Sequence, residues 1–242
     1  MPDFKNSLGC RYLLETKFTR TSIREKARPR IDPAPAFKEY PGAEKIDLPV
    51  SPSRPAADIW QLLQNRRSER KFSDRPMTLD DLSLLLWSCQ GVTAKAGPFL
   101  LRTAPSAGAL YPIETYLAVE NVEGVPPGLF HFNVRGFQLE RMTDHGVGAL
   151  VAHAALDQSF IAGAAVSFLW AAVLRRNMTK YGHRGMRYIC LDAGHICQNI
   201  LLAAEALGRK SCPVAALYDD ELNELLGLDG VEESVIYLAP VG

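Results

Sequence analysis

The pattern of apolar and polar positions changes character near residue 56. From Ala56 it turns helical, with Ile59, Trp60, Leu62 and Leu63 ahead of the basic run Arg66-Arg67-Ser68-Glu69-Arg70-Lys71. A second helix begins at Thr78. Thr78-Leu79-Asp80-Asp81 fits a capping box, Leu82, Leu85, Leu86 and Cys89 follow at helical spacing, and Gly91 ends it. Three strands are predicted next, at Ile113–Val119, Gly128–Asn133 and 136–140, the last two forming a hairpin. Residues 144–155 read as a helix. Residues 164–174 are almost continuously apolar, with Val166, Phe168, Trp170 and Val173, which predicts a central strand covered on both faces. A long helix is predicted over 185–207, its alanine-rich end suited to close packing by another helix, with Gly208 as C-cap residue. Asp219–Leu226 reads as a short helix and 234–238 as a last strand.

Residues 1–55 differ from this. The stretch from Arg28 to Pro55 is rich in proline and charge and has little periodicity. Proline removes backbone donors and biases its predecessor toward extended conformations, so the segment is expected to wrap over the surface, docked through Phe37 and Tyr40. The reading is an N-terminal extension, 1–55, on a main domain, 56–242. Strands and helices are intermixed without regular βαβ alternation, which favours α+β over a doubly wound sheet. No GxGxxG follows the first strand and no GxxxxGK[ST] occurs.

Charge narrows the partners. Lys plus Arg and Asp plus Glu both total 27, so no global field toward nucleic acid or an anionic membrane is expected. The longest apolar run, 161–174, falls short of the about 20 residues of a membrane span, and the first residues lack the plan of a secretory signal. The five cysteines form no CxxC pair and no zinc spacing with the five histidines, so no metal site is expected. Scattered and odd in number, they suggest reduced thiols in a cytoplasmic protein. Cys212 as a hydrolytic nucleophile would need an oriented histidine that the sequence does not reveal.

Three segments carry candidate chemistry. Arg66, Arg67 and Arg70 offer planar forked donors, and Ser68 a hydroxyl, suited to phosphate; a solvated basic turn is the plainer reading. In 104–112 small residues would let backbone approach a flat ligand, Ser106 adds a hydroxyl, and Tyr111 could stack; an ordinary turn into a strand is the alternative. In 208–216 backbone amides could face a ligand, or the segment merely joins two helices.

Taken together, the segments resemble the nitroreductase family, and within it the SagB-type dehydrogenases. The resemblance rests on RRSERKF at 66–72, PSAGALYP at 105–112, YGHRGMRYICLDAGHICQN at 181–199 and KSCPV at 210–214, in order, with FKEYPGA at 37–43 and YLAPVG at the end. It implies a central, mostly antiparallel sheet flanked by helices, in an intertwined homodimer that binds flavin mononucleotide (FMN) between subunits. By motif, Arg66, Arg67 and Ser68 would hold the phosphate, and Arg70 would face the flavin's pyrimidine edge. Pro105, Ser106, Ala107, Gly108 and Leu110 would contact FMN from the other subunit. Val214, Ala215 and Ala216 would lie beside N5 and O4. The helix from Gly185 would form the dimer core.

Asp192 and His195, one turn apart on that helix, could be an acid/base pair, and the structural reading is preferred. Lys180-Tyr181 matches a pair that azoline-oxidising members carry, thought to remove a substrate proton; a solvated strand-end pair is the alternative. Two departures stand out. Ala215 occupies a position commonly glycine in this branch, and relatives continue past the PVG that ends here at Gly242. If Arg66 and its neighbours supply most of the phosphate charge, Arg184 could assist. The implied activity is hydride transfer to or from FMN: azoline-to-azole dehydrogenation of a peptide, or NAD(P)H-dependent reduction of nitro or quinone compounds. The alternative is a non-catalytic flavin-binding scaffold or partner subunit of a peptide-modification complex.

Overall fold

A computed structural model describes residues 4–20, 32–50 and 53–242. In chain order the described residues form α1 (Leu8–Glu15), β1 (Lys45–Asp47), α2 (Ile59–Asn65), α3 (Leu79–Gln90), β2 (Val92–Ala96), β3 (Phe99–Arg102), β4 (Ile113–Val119), β5 (Gly128–Asn133), β6 (Gln138–Arg141), α4 (Gly148–Ala154), β7 (Val166–Val173), α5 (Leu174–Tyr181), α6 (Gly185–Ala206), α7 (Asp219–Leu226) and β8 (Glu233–Val241). The main sheet runs β1-β6-β5-β4-β7-β8, and every neighbouring pair is antiparallel. Sheet centre and flanking helices agree with the expected α+β class.

Strand β7 explains its own composition. Val166, Phe168, Trp170 and Ala172 point into a core shared with Leu82 and Leu85 of α3 and Ile189, Ile196 and Ile200 of α6. Leu169 and Ala171 point the other way, into a core with Val151 of α4 and Leu222 and Leu226 of α7. Helices cover both faces, so the strand is apolar on both sides apart from the small buried Ser167. Burying a large apolar side chain here contributes about 1.5–3 kcal/mol. The caps act as the sequence suggests: Thr78 Oγ1 accepts from Asp81 N at 3.1 Å, and Gly208 closes α6 with φ +67°.

Five elements were not foreseen. Helix α1 and the three-residue β1 lie within the stretch read as extension. Strands β2 and β3 form a separate, largely exposed hairpin that leads into the 104–112 segment. Helix α5 replaces the expected strand end. The ladder stops at Ile113↔Ala172 because Pro112 has no N–H to continue it, and its carbonyl instead accepts from Val173 N at 2.7 Å. The chain is then free to turn into a helix.

Residues 32–50 form a strap along this framework. Strand β1 pairs with β6. Tyr40 N donates to Glu140 Oε2 at 3.1 Å, and the Tyr40 hydroxyl meets that of Tyr116 at 3.2 Å. Phe37 lies between the guanidinium groups of Arg102 and Arg135, at 5.4 and 4.4 Å. Beneath the strap, His131 is fully buried, with Nδ1 2.9 Å from Glu140 Oε2 and Nε2 3.1 Å from Glu114 Oε2.

Candidate functional site

The basic run sits where α2 ends. Asp58 caps that helix by accepting from Trp60 N at 3.0 Å, and Arg66 N closes it on Leu62 O at 2.9 Å. The chain then extends, and Ser68 pairs with Ser211 in a parallel bridge reinforced by Glu69 N to Ser211 O at 3.0 Å. On its other side the 210–214 segment is laced to the end of β8: Lys210 and Gly242 exchange two backbone bonds, as do Val214 and Leu238, and Cys212 N donates to Pro240 O. Two of the three sequence segments, 146 residues apart in chain position by Ser68 and Val214, thus lie edge to edge.

The side chains along this edge are open. Arg67, Ser68 and Arg70 are exposed and Arg66 is half-buried. None of the three arginines pairs with a carboxylate among the described residues. Arg67 folds back on the end of α2, donating to Gln64 O and Arg66 O. Arg70 stands 5.6 Å from the Phe160 ring centre and lies against Cys212, whose thiol burial pushes up while Arg70 opposes the shift. The backbone separates the members of 214–216. Val214 donates its N–H to Leu238 O, so it has none to offer a ligand, whereas the exposed Ala215 and Ala216 donate to no group among the described residues.

The third segment belongs to a second cluster. Ser106 Oγ donates to Asp192 Oδ2 at 2.6 Å and accepts from Tyr111 N at 2.9 Å, while the Ala107 N–H also reaches Asp192. Burial raises the Asp192 carboxyl above its ordinary range against these donors. Asp192 therefore acts as a buckle for the loop. Gly108, Ala109 and Tyr111 have φ of +68, +54 and +46°. Such strain at non-glycine residues persists only where the surroundings over-determine it, as at ligand clamps. Arg102 donates its N–H to the Tyr111 hydroxyl at 3.0 Å and stacks its guanidinium 4.4 Å from that ring.

Lys180 and Tyr181, at the end of α5, reach the same loop. A Cβ built on Gly108 would lie 2.6 Å from both Lys180 Nζ and Tyr181 OH, so the two polar heads converge on one point of the backbone. Tyr181 packs edge-on against Tyr188 with ring centres 4.8 Å apart. Arg184 is engaged elsewhere: it donates to Thr16 O and Tyr188 OH and faces the Phe18 ring. Within one chain, no hydrogen bond or ion pair among the described residues joins this cluster to the Arg66–Arg70 edge. Arg102, Arg176 and Glu114, which hold the second cluster, escaped the sequence reading; the one available signal was the i,i+4 spacing of Arg176 and Lys180.

Comparison with known proteins sets these clusters in context. A family model described as "Nitroreductase family" matches residues 63–242. A protein of Methanocaldococcus jannaschii described as a nitroreductase is 40% identical over 184 residues, spanning 76% of this chain and 90% of that protein. The microcin B17-processing protein McbC of Escherichia coli is 27% identical over 133 residues, 53% of this chain and 49% of that one. Among solved structures, the E. coli microcin synthetase McbBCD complex with truncated pro-MccB17 bound superposes with a TM-score of 0.62 at 20% identity, covering 95% of this chain and 85% of that one. The NADPH:FMN oxidoreductase of Vibrio harveyi complexed with NAD+ does so with a TM-score of 0.54 at 19% identity, covering 76% and 67%. At these identities the two structures speak for the fold. Among the described residues no helix is long and apolar enough to cross a membrane.

Proposed function

Because the chain belongs to the nitroreductase family, we propose that it is an FMN-dependent oxidoreductase that works as a homodimer. The observation that carries this reading is the edge of arginines without carboxylate partners beside unused amides. Arg66 and Arg70, without carboxylate partners among the described residues, the exposed Ser68 hydroxyl and the unused Ala215 and Ala216 N–H groups form a donor set that fits a phosphate and a heterocycle edge. FMN, when bound, supplies a two-electron acceptor or donor. Arg66 and Ser68 would hold its phosphate, with Arg67 near enough to add charge. Arg70 would place positive charge where the reduced flavin becomes anionic, and Ala215 or Ala216, rather than Val214, would donate to the flavin edge.

The dimer is supported by what one chain leaves uncovered. Cys190, Leu191, Gly194 and Gln198 form an exposed stripe on α6; Leu191 is 57% exposed and nothing lies near a Cβ built on Gly194. A second copy seated there would bring Pro105, Ser106, Ala107, Gly108 and Leu110 of one subunit to the arginine edge of the other. The same arrangement unites the two clusters that a single chain keeps apart.

For the reaction we favour substrate dehydrogenation, because Lys180 and Tyr181 meet at the loop that would face the cofactor. One substrate C–H bond would yield a proton to this pair while the neighbouring C–H yields hydride to the flavin, leaving a new double bond. Resemblance to McbC makes a ring in a modified peptide the substrate class of choice. The alternative is the other direction, with NAD(P)H as donor and a nitro or quinone compound as acceptor. The test is direct. Purified protein should be yellow or take up FMN stoichiometrically, and it should elute as a dimer. A colourless protein that FMN cannot reconstitute sinks the proposal; bound flavin that neither NAD(P)H nor a thiazoline peptide can reduce supports the scaffold reading instead.

A further inference from the structure

Helix α5 owes little of its placement to its own ends. Val173 stands at its N-cap and provides no side-chain hydrogen bond. Asn177 is fully buried, yet neither of its amide atoms has a partner. A buried amide left in this state disfavours the arrangement by about 1–3 kcal/mol. The helix must be held by something stronger.

Arg176 is that anchor. Its side chain is 4% exposed and pairs through Nη2 with Glu114 Oε1. Its Nη1 donates to Tyr111 O at 3.1 Å and its Nε to Pro35 O at 2.6 Å. One planar guanidinium thus ties α5 to β4, to the end of the 105–112 loop and to the N-terminal strap. Glu114 cannot yield easily, since its other oxygen faces the buried His131. Lys180 lies one helical turn beyond Arg176, so the angle at which α5 is pinned determines where Lys180 and Tyr181 end.

We infer that Arg176 is a positioning residue for the Lys180–Tyr181 pair: its three-way clamp on Glu114, Tyr111 and Pro35 fixes α5 so that Lys180 Nζ and the Tyr181 hydroxyl converge over Gly108. The inference rests on the proposed function for the chemistry of the pair, while the clamp itself is read without reference to flavin. An ammonium in place of the guanidinium keeps the charge opposite Glu114 but cannot reproduce three oriented bonds.

The experiment compares wild-type full-length protein with Arg176→Lys and Arg176→Gln. Hydrogen exchange of the 178–181 amides reports the hold on α5, and pulse acetylation with acetic anhydride, read by mass spectrometry, reports Lys180 against the exposed Lys95. Arg176→Lys should stay folded with a lowered melting temperature, and exchange in 178–181 should quicken roughly tenfold, the factor expected for losing one charged hydrogen bond. Exchange around Ile200 of α6 should stay unchanged, and Lys180 acetylation relative to Lys95 should shift in the same variant. A folded Arg176→Lys protein with both readouts within about twofold of wild type overturns the inference. So does wild-type protein whose 178–181 amides exchange at unprotected rates, a measurement that needs no variant. Failure of the underlying reading looks different: Lys180→Gln that still dehydrogenates a synthetic thiazoline peptide at full rate removes the pair from the chemistry while the exchange result stands.

Discussion

Ser106 Oγ donates its proton to Asp192 Oδ2 at 2.6 Å, joining a loop and a helix 86 residues apart in the chain. The bond limits what the serine can do. With its proton committed and one lone pair taken by Tyr111 N, Ser106 can meet a ligand only as an acceptor. The motif's serine is therefore first a fastener of its own loop, and the loop's contribution to a ligand is its backbone.

Breaking the buckle should loosen the loop before it unfolds the protein. Asp192→Ala leaves the Ser106 hydroxyl and the Ala107 N–H without their acceptor, a loss of about 1–3 kcal/mol. Thermal melting should register that decrease, and FMN titration should show weaker binding. Asp192→Asn, which retains one acceptor oxygen, should lose less of both.

The arginine edge makes the opposite prediction. Arg66 and Arg70 are at the surface and pair with no described carboxylate, so alanine at either position should leave the melting temperature nearly unchanged. Arg66→Ala should weaken FMN binding by roughly tenfold or more, as expected for a lost charged contact to phosphate. Arg70→Met should instead lower the flavin midpoint potential, measured by dye-linked reductive titration. Unchanged affinity and potential in these variants would place the cofactor elsewhere.

Gly108→Ala tests the point where the two polar heads meet. Its φ of +68° and the 2.6 Å approach of Lys180 Nζ and Tyr181 OH both oppose a methyl group. Because those atoms end flexible side chains they can move aside, and the left-handed backbone sets most of the stability loss, about 1 kcal/mol. Dehydrogenation of a thiazoline peptide should fall far more than stability does, since the pair is displaced. A variant that is destabilised but fully active would separate the pair from catalysis.

Acid should unfold this protein partly through Glu114. Burial works against its charged form, but Arg176, His131 and Arg102 outweigh burial and hold the carboxyl at about 2 instead of 4.5. Unfolded chain therefore binds this proton more readily than folded protein. The resulting stabilisation, roughly 3 kcal/mol, is present in full above pH 4.5 and is lost as pH falls toward 2. Urea midpoints between pH 7 and pH 3 should fall accordingly. Glu114→Gln should lower stability at neutral pH and flatten the acid limb; an equally steep limb in that variant would assign acid sensitivity to other groups.

Much of the framework was legible in the chain. The continuous apolar run of β7 forecast a strand covered on both faces, and Thr78, Gly91 and Gly208 marked helix ends within two residues of where they fall. Those features depend on neighbours a few positions away, which a linear reading sees. Helix α5 was missed although Leu174, Met178 and Tyr181 fall at helical spacing, because the segment follows directly on the apolar run of β7; Pro112, more than sixty residues upstream, ends the ladder and Arg176 draws the segment inward. Helix α1 was missed for a related reason. Its leucines stay exposed, and it is held by the Tyr12 hydroxyl, which donates to His183 O, and by Arg184 and Arg187, which donate to Leu13 O and to Thr16.

The site divides in the same way. Residue types and motif order by themselves determined which segments carry phosphate-suited arginines, a small-residue loop and a Lys-Tyr pair, because such chemistry is written in side chains. Only the tertiary structure decided which groups remain available. It consumed the Val214 N–H in a bridge to Leu238, turned the Ser106 proton to Asp192 and engaged Arg184 with the end of α1, and among the described residues it left Arg66 and Arg70 without a carboxylate partner and the Ala215 and Ala216 N–H groups unused. Among the described residues of one chain it made no hydrogen bond or ion pair between the arginine edge and the Lys180–Tyr181 cluster. A hydrogen-bonding group is free or taken according to what folding brings beside it, and that depends on contacts between residues the sequence keeps far apart.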